Sequence, residues 1–277
     1  NFNDPHFSLV PPRSRTASYP RDIIRKILEV IDIAKKVNVD YITTTGDVFH
    51  RKAAASFREA NILSSVFKKS KIQIVGIGGN HDFEGYNIKT LVNRPLGNLV
   101  INGRYRLLDY KPIIKGRIKL IGTSFHRHYD ESRDGYFKSE HDYKYLTVAL
   151  THGSLVLSDS GKFWGNYTNM SDLKETHGTM HDVIINGHLH HNQGRKVIEE
   201  RNRKINIFSN GSLARNILKE DVAKRIPTVL HIEIRDDGRV KYEEIELKSA
   251  KHVKNVFNFK ETKIENKNIG DFVDSLL

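Results

Sequence analysis

Short apolar runs that each end at a turn residue recur along the first two-thirds of the chain and limit what it can fold into. Buried strands are predicted for "DYITTTG" (40–46), "IQIVGI" (72–77), "RIKLIG" (117–122), "YLTVAL" (145–150) and "DVIIN" (182–186). A sixth run, "KINIFS" (204–209), alternates apolar and polar residues, as a half-exposed strand does. Strands of this kind, separated by polar segments, exclude an all-helical fold.

A helical period appears between the first strands. Residues 19–36 repeat apolar side chains every three or four positions, and Pro20 suits a first helical turn. "SFREANILSSVFKK" predicts a second helix over 56–69. Towards the C-terminus, two alternating strands flank Asp237–Gly238, a strong hairpin signal. The front half is therefore βαβα and the back half is rich in strand pairs. This pattern predicts an α/β fold with mixed, packed sheets (α+β in its back half) rather than one doubly wound sheet.

The length of 277 residues suits one sizeable core, which we place at 1–248. From Ser249 to the end, lysine and asparagine dominate. We expect a linker and a short helix over 249–277, a short C-terminal extension that could begin a cap or a partner-binding region. No run approaches the roughly 18 apolar residues of a membrane helix. The net charge of +12 favours a polyanionic partner, although many basic proteins bind none.

Metal-ligand residues follow the predicted strands in five short segments. They are Asp4 and His6 in "DPH", Asp47 and His50 in "GDVFH", Asn80, His81 and Asp82 in "GNHD", His152 in "LTHG", and His188 and His190 in "GHLH". Each segment alone could be a turn or a satisfied polar residue. Five in a row at strand ends are hard to explain as turns. The chain has no cysteine, so His, Asp, Asn or Glu must hold any metal, which suits manganese, iron or zinc.

The spacing within two segments suggests how they reach one point. Asp4 and His6 are two residues apart, and so are His188 and His190. In an extended segment, side chains two apart face the same side, so each pair could reach one site. By the same rule His191 points the other way, and we expect it at the surface.

In this order the segments resemble the motifs D-x-H, G-D-x-x-H, G-N-H-D/E, H and G-H-x-H of the calcineurin-like metallophosphoesterase superfamily. The resemblance spans 4–190 and implies a four-layer αββα sandwich with two divalent ions, most often Mn²⁺, with Fe, Zn or Mg as alternatives. The implied ligands of one ion are Asp4, His6, Asp47 and His190, and those of the other are Asp47, Asn80, His152 and His188. Asp47 would bridge the ions. His81 would protonate the leaving oxygen or stabilise the transition state, and Asp82 would orient His81 or cap a turn.

Within that superfamily, "GDVFH" with His50 and "SNGSLAR" (209–215) resemble the SbcD-type repair nucleases and their relative, the meiotic-recombination-eleven nuclease. The resemblance places His50 at the active site, although it could instead cap a helix. The basic residues Arg13 and Arg15 in the first loop, and Arg51 and Lys52 after His50, are candidates for holding a DNA backbone. The arginines of the first loop could equally be solvated loop charges.

These features predict a manganese-dependent DNA nuclease of repair or recombination, acting as an exonuclease or endonuclease on phosphodiester bonds. Its expected partners are DNA, an SMC-like ATPase of the Rad-fifty/SbcC type, and a second copy through the helix at 56–69. Ile62, Leu63, Val66 and Phe67 would serve that dimer or belong to the core. One alternative is a phosphodiesterase or phosphatase acting on small nucleotides or phosphoproteins. Another is an inactive scaffold.

Both ends of the sequence are short for the family pattern. Only three residues precede Asp4, where the family has a full strand, and the C-terminus is too short for a complete DNA-capping domain. We expect a core cut from a longer protein, or a compact relative for which a viral origin is one option. The expected location is intracellular, in the cytoplasm, nucleoid or nucleus.

Overall fold

Two β-sheets, one of three strands and one of six, organise the chain. The computed structural model describes residues 1–50, 56–109, 111–157, 167–175, 178–200, 203–218 and 220–259. The helices are α1 (Tyr19–Lys36), α2 (Phe57–Phe67), α3 (Pro95–Ile101), α4 (Tyr129–Ser132), α5 (Met170–Glu175) and α6 (Glu220–Ala223), with 3-10 turns at Ile88–Asn93, Asp134–Tyr136, Glu140–Asp142 and Val253–Asn255. The strands are β1 (Ile42–Thr44), β2 (Ile74–Gly76), β3 (Arg106–Leu107), β4 (Ile113–Lys115), β5 (Ile118–Gly122), β6 (Leu146–Thr151), β7 (Leu155–Val156), β8 (Thr168–Asn169), β9 (Val183–Asn186), β10 (Gly194–Glu200), β11 (Arg203–Ser209), β12 (Thr228–Ile234) and β13 (Val240–Glu246).

The first two helices form where the sequence predicts them. α1 has the predicted bounds, and it buries Ile23, Ile27 and Ile31 along one stripe. Ser56 begins α2 with a capping box. The Ser56 hydroxyl accepts from the Glu59 amide, and the Glu59 carboxylate accepts from the Ser56 amide. α2 ends two residues earlier than predicted.

The small sheet is parallel, in the order β1-β2-β3, and the large sheet runs β10-β11-β9-β6-β5-β4 with antiparallel strands at both edges. β12 and β13 form the predicted hairpin around Asp237–Gly238. β1 is shorter than predicted because the backbone turns at Gly46 (φ 98°) and Asp47 (φ 48°). The fold is therefore the predicted α/β architecture with mixed sheets.

Alternating side chains of the large sheet join two separate cores. Val183 and Ile185 of β9 pack between the sheets with Val75 of the small sheet. Ile184, between them, faces the opposite side and packs with Leu173 of α5. α1 and α2 cover the outer face of the small sheet. The layers are thus helix, sheet, sheet, helix, and burial of each such side chain contributes roughly 1.5–3 kcal/mol.

The C-terminal segment differs from the predicted linker as far as residue 259. Val253, Val256 and Phe257 are buried in a small cluster with Leu218 and Ala223. The Asn258 amide donates to the Ser14 carbonyl at 2.9 Å, and the Ser249 amide donates to the Glu29 carboxylate at 2.8 Å. These contacts attach the segment to α1 and the first loop. Residues 260–277, with the predicted short helix, lie outside the described residues, and the division at 248 stays a prediction.

The predicted dimer helix keeps most of its apolar residues inside. Leu63, Val66 and Phe67 are buried in the core between α2 and the small sheet, while Ile62 is half-buried. Phe57, 66% exposed, is the large apolar side chain that α2 presents outward. A dimer along α2 would therefore use Phe57 and Ile62 rather than the other three residues. Among the described residues, no helix combines the length and apolarity needed to cross a membrane.

Candidate metal centre

The predicted ligands come together at one edge of the two sheets. Asp47 follows β1, Asn80 follows β2, His152 follows β6 and His188 follows β9. These strands are parallel to their neighbours within each sheet, so their carboxyl ends lie at a common edge, where α/β folds build their sites. A cavity of about 490 Å³ near Tyr41 and the β12 strand contains none of the predicted site residues.

Left-handed backbone, rather than extended backbone, aims these side chains at one another. φ is 45° at Asp4, 44° at His6, 48° at Asp47 and 73° at His188. The side chains of Asp4 and His6 reach one site, as expected. The expected extended backbone is wrong, because both residues have left-handed backbone. Such conformations cost of order 1–3 kcal/mol each in non-glycine residues and cluster where function requires them. Gly79 allows the loop that carries Asn80 to approach Asp47, because a Cβ at residue 79 would collide with Asp47 Oδ1.

One set of ligands surrounds Oδ2 of Asp47. His6 Nε2 lies 3.4 Å from this oxygen and 2.9 Å from His190 Nε2. Asp4 belongs to the same group, since ligand atoms of Asp4, His6 and Asp47 lie within 4.8 Å of one another. Asp4 is held from behind by the His188 amide, 3.2 Å from each carboxylate oxygen.

A second set surrounds the other oxygen, Oδ1, of Asp47. His152 Nε2 lies 3.5 Å from Oδ1 of Asp47, 3.2 Å from Asn80 Oδ1 and 3.3 Å from His188 Nδ1. The two carboxylate oxygens of Asp47 thus face different ligand sets. A carboxylate placed in this way suits a bridge between two cations.

The donor atoms fit divalent ions. Two ligands at about 2.1 Å from a metal, separated by 90–110°, lie roughly 3.0–3.4 Å apart. The separations of 2.9–3.5 Å within the two sets match this spacing. The distance between His6 Nε2 and His190 Nε2 allows at most one proton between two basic nitrogens, and a shared cation satisfies both.

Burial sets the charge of most ligands. It lowers the pKa of His188 to about 3 and that of His190 to about 4, with the charge of Arg225 lowering His190 further. Burial would raise the pKa of Asp47, but His152 and His6 hold it well below its usual range. In contrast, the burial of His152 is outweighed by Asp47 and Asp4, which raise its pKa to about 9, and burial raises the pKa of Asp4 to about 7. Neutral imidazoles and ionised carboxylates are the forms that bind metal, so metal ions would displace protons from His152 and Asp4.

Supporting residues that the sequence reading missed fix the ligand loops. Asn186, the last residue of β9, accepts from the Thr151 hydroxyl at 2.8 Å and donates to the Gly187 carbonyl at 2.8 Å, which ties the two histidine-bearing loops together. The Thr45 carbonyl lies 2.6 Å from His152 Nδ1 and thereby directs Nε2 at the centre. In the sequence, Asn186 could be suspected of a role at the site only because it directly precedes "GHLH".

His81 and His50 lie side by side next to the first ligand set. Their rings stack with centroids 5.8 Å apart, and the His6 ring lies 4.8 Å from that of His81 and 5.4 Å from that of His50. His81 Nδ1 contacts the His50 carbonyl, and its amide donates to Asp47 Oδ1 at 2.8 Å. The loop of "GDVFH" therefore orients His81.

Asp82 has the turn-capping role rather than the catalytic one. Its carboxylate accepts from the amides of Gly79 at 2.9 Å and of Val48 and Phe49 at 3.2 Å each. It does not contact His81, so the prediction that it orients this histidine is corrected. Burial, and then the charge of Asp47, raise the pKa of Asp82 to about 7. Its effect is to hold the loops that carry Asp47 and Asn80.

The four predicted DNA contacts separate into three groups. Arg15 is buried, with its Nε donating to the Val256 carbonyl at 3.0 Å, so its assignment to a DNA backbone is wrong. Arg13 is exposed and stays a prediction. Arg51 and Lys52 lie outside the described residues. His191 is half-exposed, where a surface position was expected.

The fold and the two ligand sets together define a site whose His and Asp side chains could hold metal ions. The family model "Calcineurin-like phosphoesterase" matches residues 2–192, and the chain belongs to this family. A search of curated proteins finds no match.

Two solved structures from Thermus thermophilus are similar. TT1561 is 11% identical with a TM-score of 0.46, over 80% of this chain and 94% of that one. A 5'-nucleotidase precursor is 14% identical with a TM-score of 0.49, over 87% of this chain. The chain spans about half the length of the nucleotidase precursor, 51%.

Proposed function

We propose that this phosphoesterase is a manganese-dependent nuclease that hydrolyses phosphodiester bonds of DNA. The observation that carries the proposal is the stacked pair of rings of His50 and His81, which lies beside the two ligand sets at the two oxygens of Asp47. A nuclease must supply a proton to an alkoxide leaving oxygen, which is a poor leaving group. Two neighbouring imidazoles at the metal centre provide that capacity.

The ligand sets would hold both ions, which when bound would supply Lewis-acid activation of water and of the phosphate. Asp47 keeps the two sets in register, because each of its oxygens faces one of them. His81 acts on the leaving group. The Nδ1–H of His81 donates to the His50 carbonyl, so the proton given to the departing oxygen is that of Nε2 in the imidazolium form of the ring, which is left neutral with its Nδ1–H in place.

The basic character of the chain supports a polyanionic substrate. The net charge is +12, and Arg13 is exposed in the loop that follows His6. Long-range attraction of this sign accelerates the encounter with DNA. The SMC-like ATPase partner, the dimer along α2 and the intracellular location belong to the same proposal, since each accompanies DNA-end processing in the nucleases that the motifs resemble.

Digestion of linear DNA with Mn²⁺ tests the proposal. Single- and double-stranded DNA would be incubated beside a chromogenic phosphodiester, with His81→Ala as the blank and metal content measured in both proteins. We expect degradation of DNA by the wild-type chain and none by the blank. Rapid chromogenic turnover with intact DNA would overturn the nuclease assignment in favour of a small-molecule phosphodiesterase. Fewer than two ions per chain would favour the inactive scaffold.

A further inference from the structure

An exposed tyrosine lies in an unusual turn beside the second ligand set. Tyr86 is the third residue of the turn Glu84–Asn87, closed by the Asn87 amide donating to the Glu84 carbonyl at 3.1 Å. φ is 57° at Gly85 and 59° at Tyr86, as in a type I′ turn. Asn, Asp or Gly normally takes the second of these positions. A tyrosine there carries backbone strain, and such outliers concentrate at functional sites.

A chain of aromatic contacts connects this tyrosine to a metal ligand. The Tyr86 ring lies edge-on to Phe125, with centroids 5.3 Å apart, and Phe125 stacks on His188 with centroids 5.9 Å apart. Tyr86 and His188 are therefore separated by no more than about 11 Å. This distance is within reach of a nucleotide that adjoins the phosphate being hydrolysed.

Phe125 is rigidly placed. Its amide donates to the Gly78 carbonyl at 2.9 Å, and Tyr129 stacks on it with the two rings only 10° from parallel. The hydroxyl of the preceding residue, Ser124, accepts from the Gly78 amide at 2.7 Å and donates to the Asp109 carboxylate at 2.7 Å. Phe125 thus supports Tyr86 as a fixed wall. Tyr86 itself keeps 38% of its surface exposed to solvent.

We propose that Tyr86, supported by Phe125, is a stacking platform for a nucleobase of the substrate next to the scissile phosphate. This inference rests on the proposed nuclease function and names what the site recognises besides phosphate. Stacking of a base on an aromatic ring tolerates any sequence, because every base has a π face. The neighbouring Arg127, exposed on the loop after Phe125, adds positive charge beside the platform.

Binding of two single strands with equal charge tests the platform. One strand is oligothymidylate, and the other has the same length with every base replaced by an abasic residue. Fluorescence anisotropy with Mn²⁺ in the His81→Ala background measures affinity without cleavage. Tyr86→Ala should weaken binding of oligothymidylate about tenfold and leave the abasic strand unchanged. Tyr86→Phe should bind both strands as the parent does.

Two further variants separate stacking from folding. Tyr143→Ala removes an equally typical surface tyrosine, 58% exposed, which lies before β6 and so at the far end of that strand from His152. It should change neither affinity. Tyr86→Asn, which suits a left-handed turn, should raise or preserve the melting temperature and still lose the preference for bases.

Equal losses on both strands after Tyr86→Ala, or no loss on either, would overturn the platform while leaving the nuclease proposal intact. DNA that is bound through its bases but never cleaved by the wild-type chain would instead overturn the nuclease proposal and support the platform. A wild-type chain that binds neither strand would overturn both.

Discussion

Two polar clusters in this chain are both largely buried and differ in what their side chains contact. The metal centre consists of Asp4, His6, Asp47, Asn80, His152, His188 and His190. The cationic cluster consists of Arg15, Asp22, Lys26 and Arg215. In the metal centre, lone pairs converge, as at the 2.9 Å approach of two histidine nitrogens. In the cationic cluster, each cation meets a carbonyl oxygen, for example Lys26 Nζ at 2.8 Å from that of Leu213.

The difference shows that burial of charged groups does not by itself mark a site. Lys26 is as buried as Asp4, and burial, followed by the charges of Arg215 and Arg15, holds its pKa well below the usual range. The cations of its cluster nevertheless contact groups of the chain itself, since Arg15 donates to the carbonyls of Val256 and Arg215 and lies over the Tyr19 ring at 4.6 Å. What distinguishes the metal centre is that carboxylate, amide and imidazole ligand atoms converge on one another at 2.9–3.5 Å.

Asp47→Asn should break the metal centre most severely. The amide keeps the shape of the carboxylate but loses its charge and one of its two ligand oxygens, and these oxygens face different ligand sets. Bound Mn²⁺ should fall well below two ions per chain, and turnover should fall by about 10³-fold or more. Metal analysis after gel filtration and steady-state kinetics measure both. Retention of two ions would show that Asp47 does not bridge.

His81→Ala should separate metal binding from turnover. His81 touches Asp47 through its amide, which alanine retains. Two ions should therefore stay bound while turnover falls by about 10²–10⁴-fold, the typical contribution of a general acid. His191→Ala, at a half-exposed histidine outside the ligand sets, is the matched control and should keep both properties. Metal loss equal to that of Asp47→Asn would remove the catalytic role of His81.

Arg15→Met should affect stability rather than DNA. It removes the buried guanidinium that donates to the carbonyls of Val256 and Arg215 and lies 3.7 Å from the Asp22 carboxylate, so unfolding free energy should drop by about 2–3 kcal/mol in urea titrations. Arg13→Met is the surface counterpart. It should leave stability unchanged and reduce the salt dependence of DNA binding by about one phosphate contact. A folded Arg15→Met protein of normal stability and weak DNA affinity would restore the contact predicted from sequence.

Local sequence signals predicted most of the helices and strands, and the motif resemblance implied the group of residues that the structure brings together. The remaining features depend on long-range packing. The positions of the strands and the bounds of α1 could be predicted because the apolar period and Pro20 are local signals. The burial of Arg15 depends on Val256, 241 residues away, which no period encodes. Asp82 was assigned to its sequence neighbour His81, whereas its partners include Val48 and Phe49 on another loop.

His181 gives the smallest expected effect in the comparison of the metal centre with other buried polar groups. It is a buried histidine that belongs to neither cluster. Its Nδ1 has no hydrogen-bond partner among the described residues. Burial lowers its pKa to about 4, and the charges around it are those of Asp142, Lys138, Asp182 and Arg203. An unfolded histidine titrates near 6.5, so between pH 6.5 and 4 the unfolded state holds more protons, and acid favours unfolding.

From pH 7 to pH 5, His181 should therefore cost the folded state about 2 kcal/mol. His181→Gln, which cannot titrate, should lose correspondingly less stability over this interval in urea titrations of metal-free protein. Acid sensitivity of the ligand histidines is common to both proteins and cancels in their difference. Parallel pH curves would mean that the folded His181 takes up its proton as readily as the unfolded one. A buried histidine nitrogen without a hydrogen-bond partner would then not indicate a lowered pKa. Only the close approach of several ligand atoms would distinguish the metal centre from other buried polar groups.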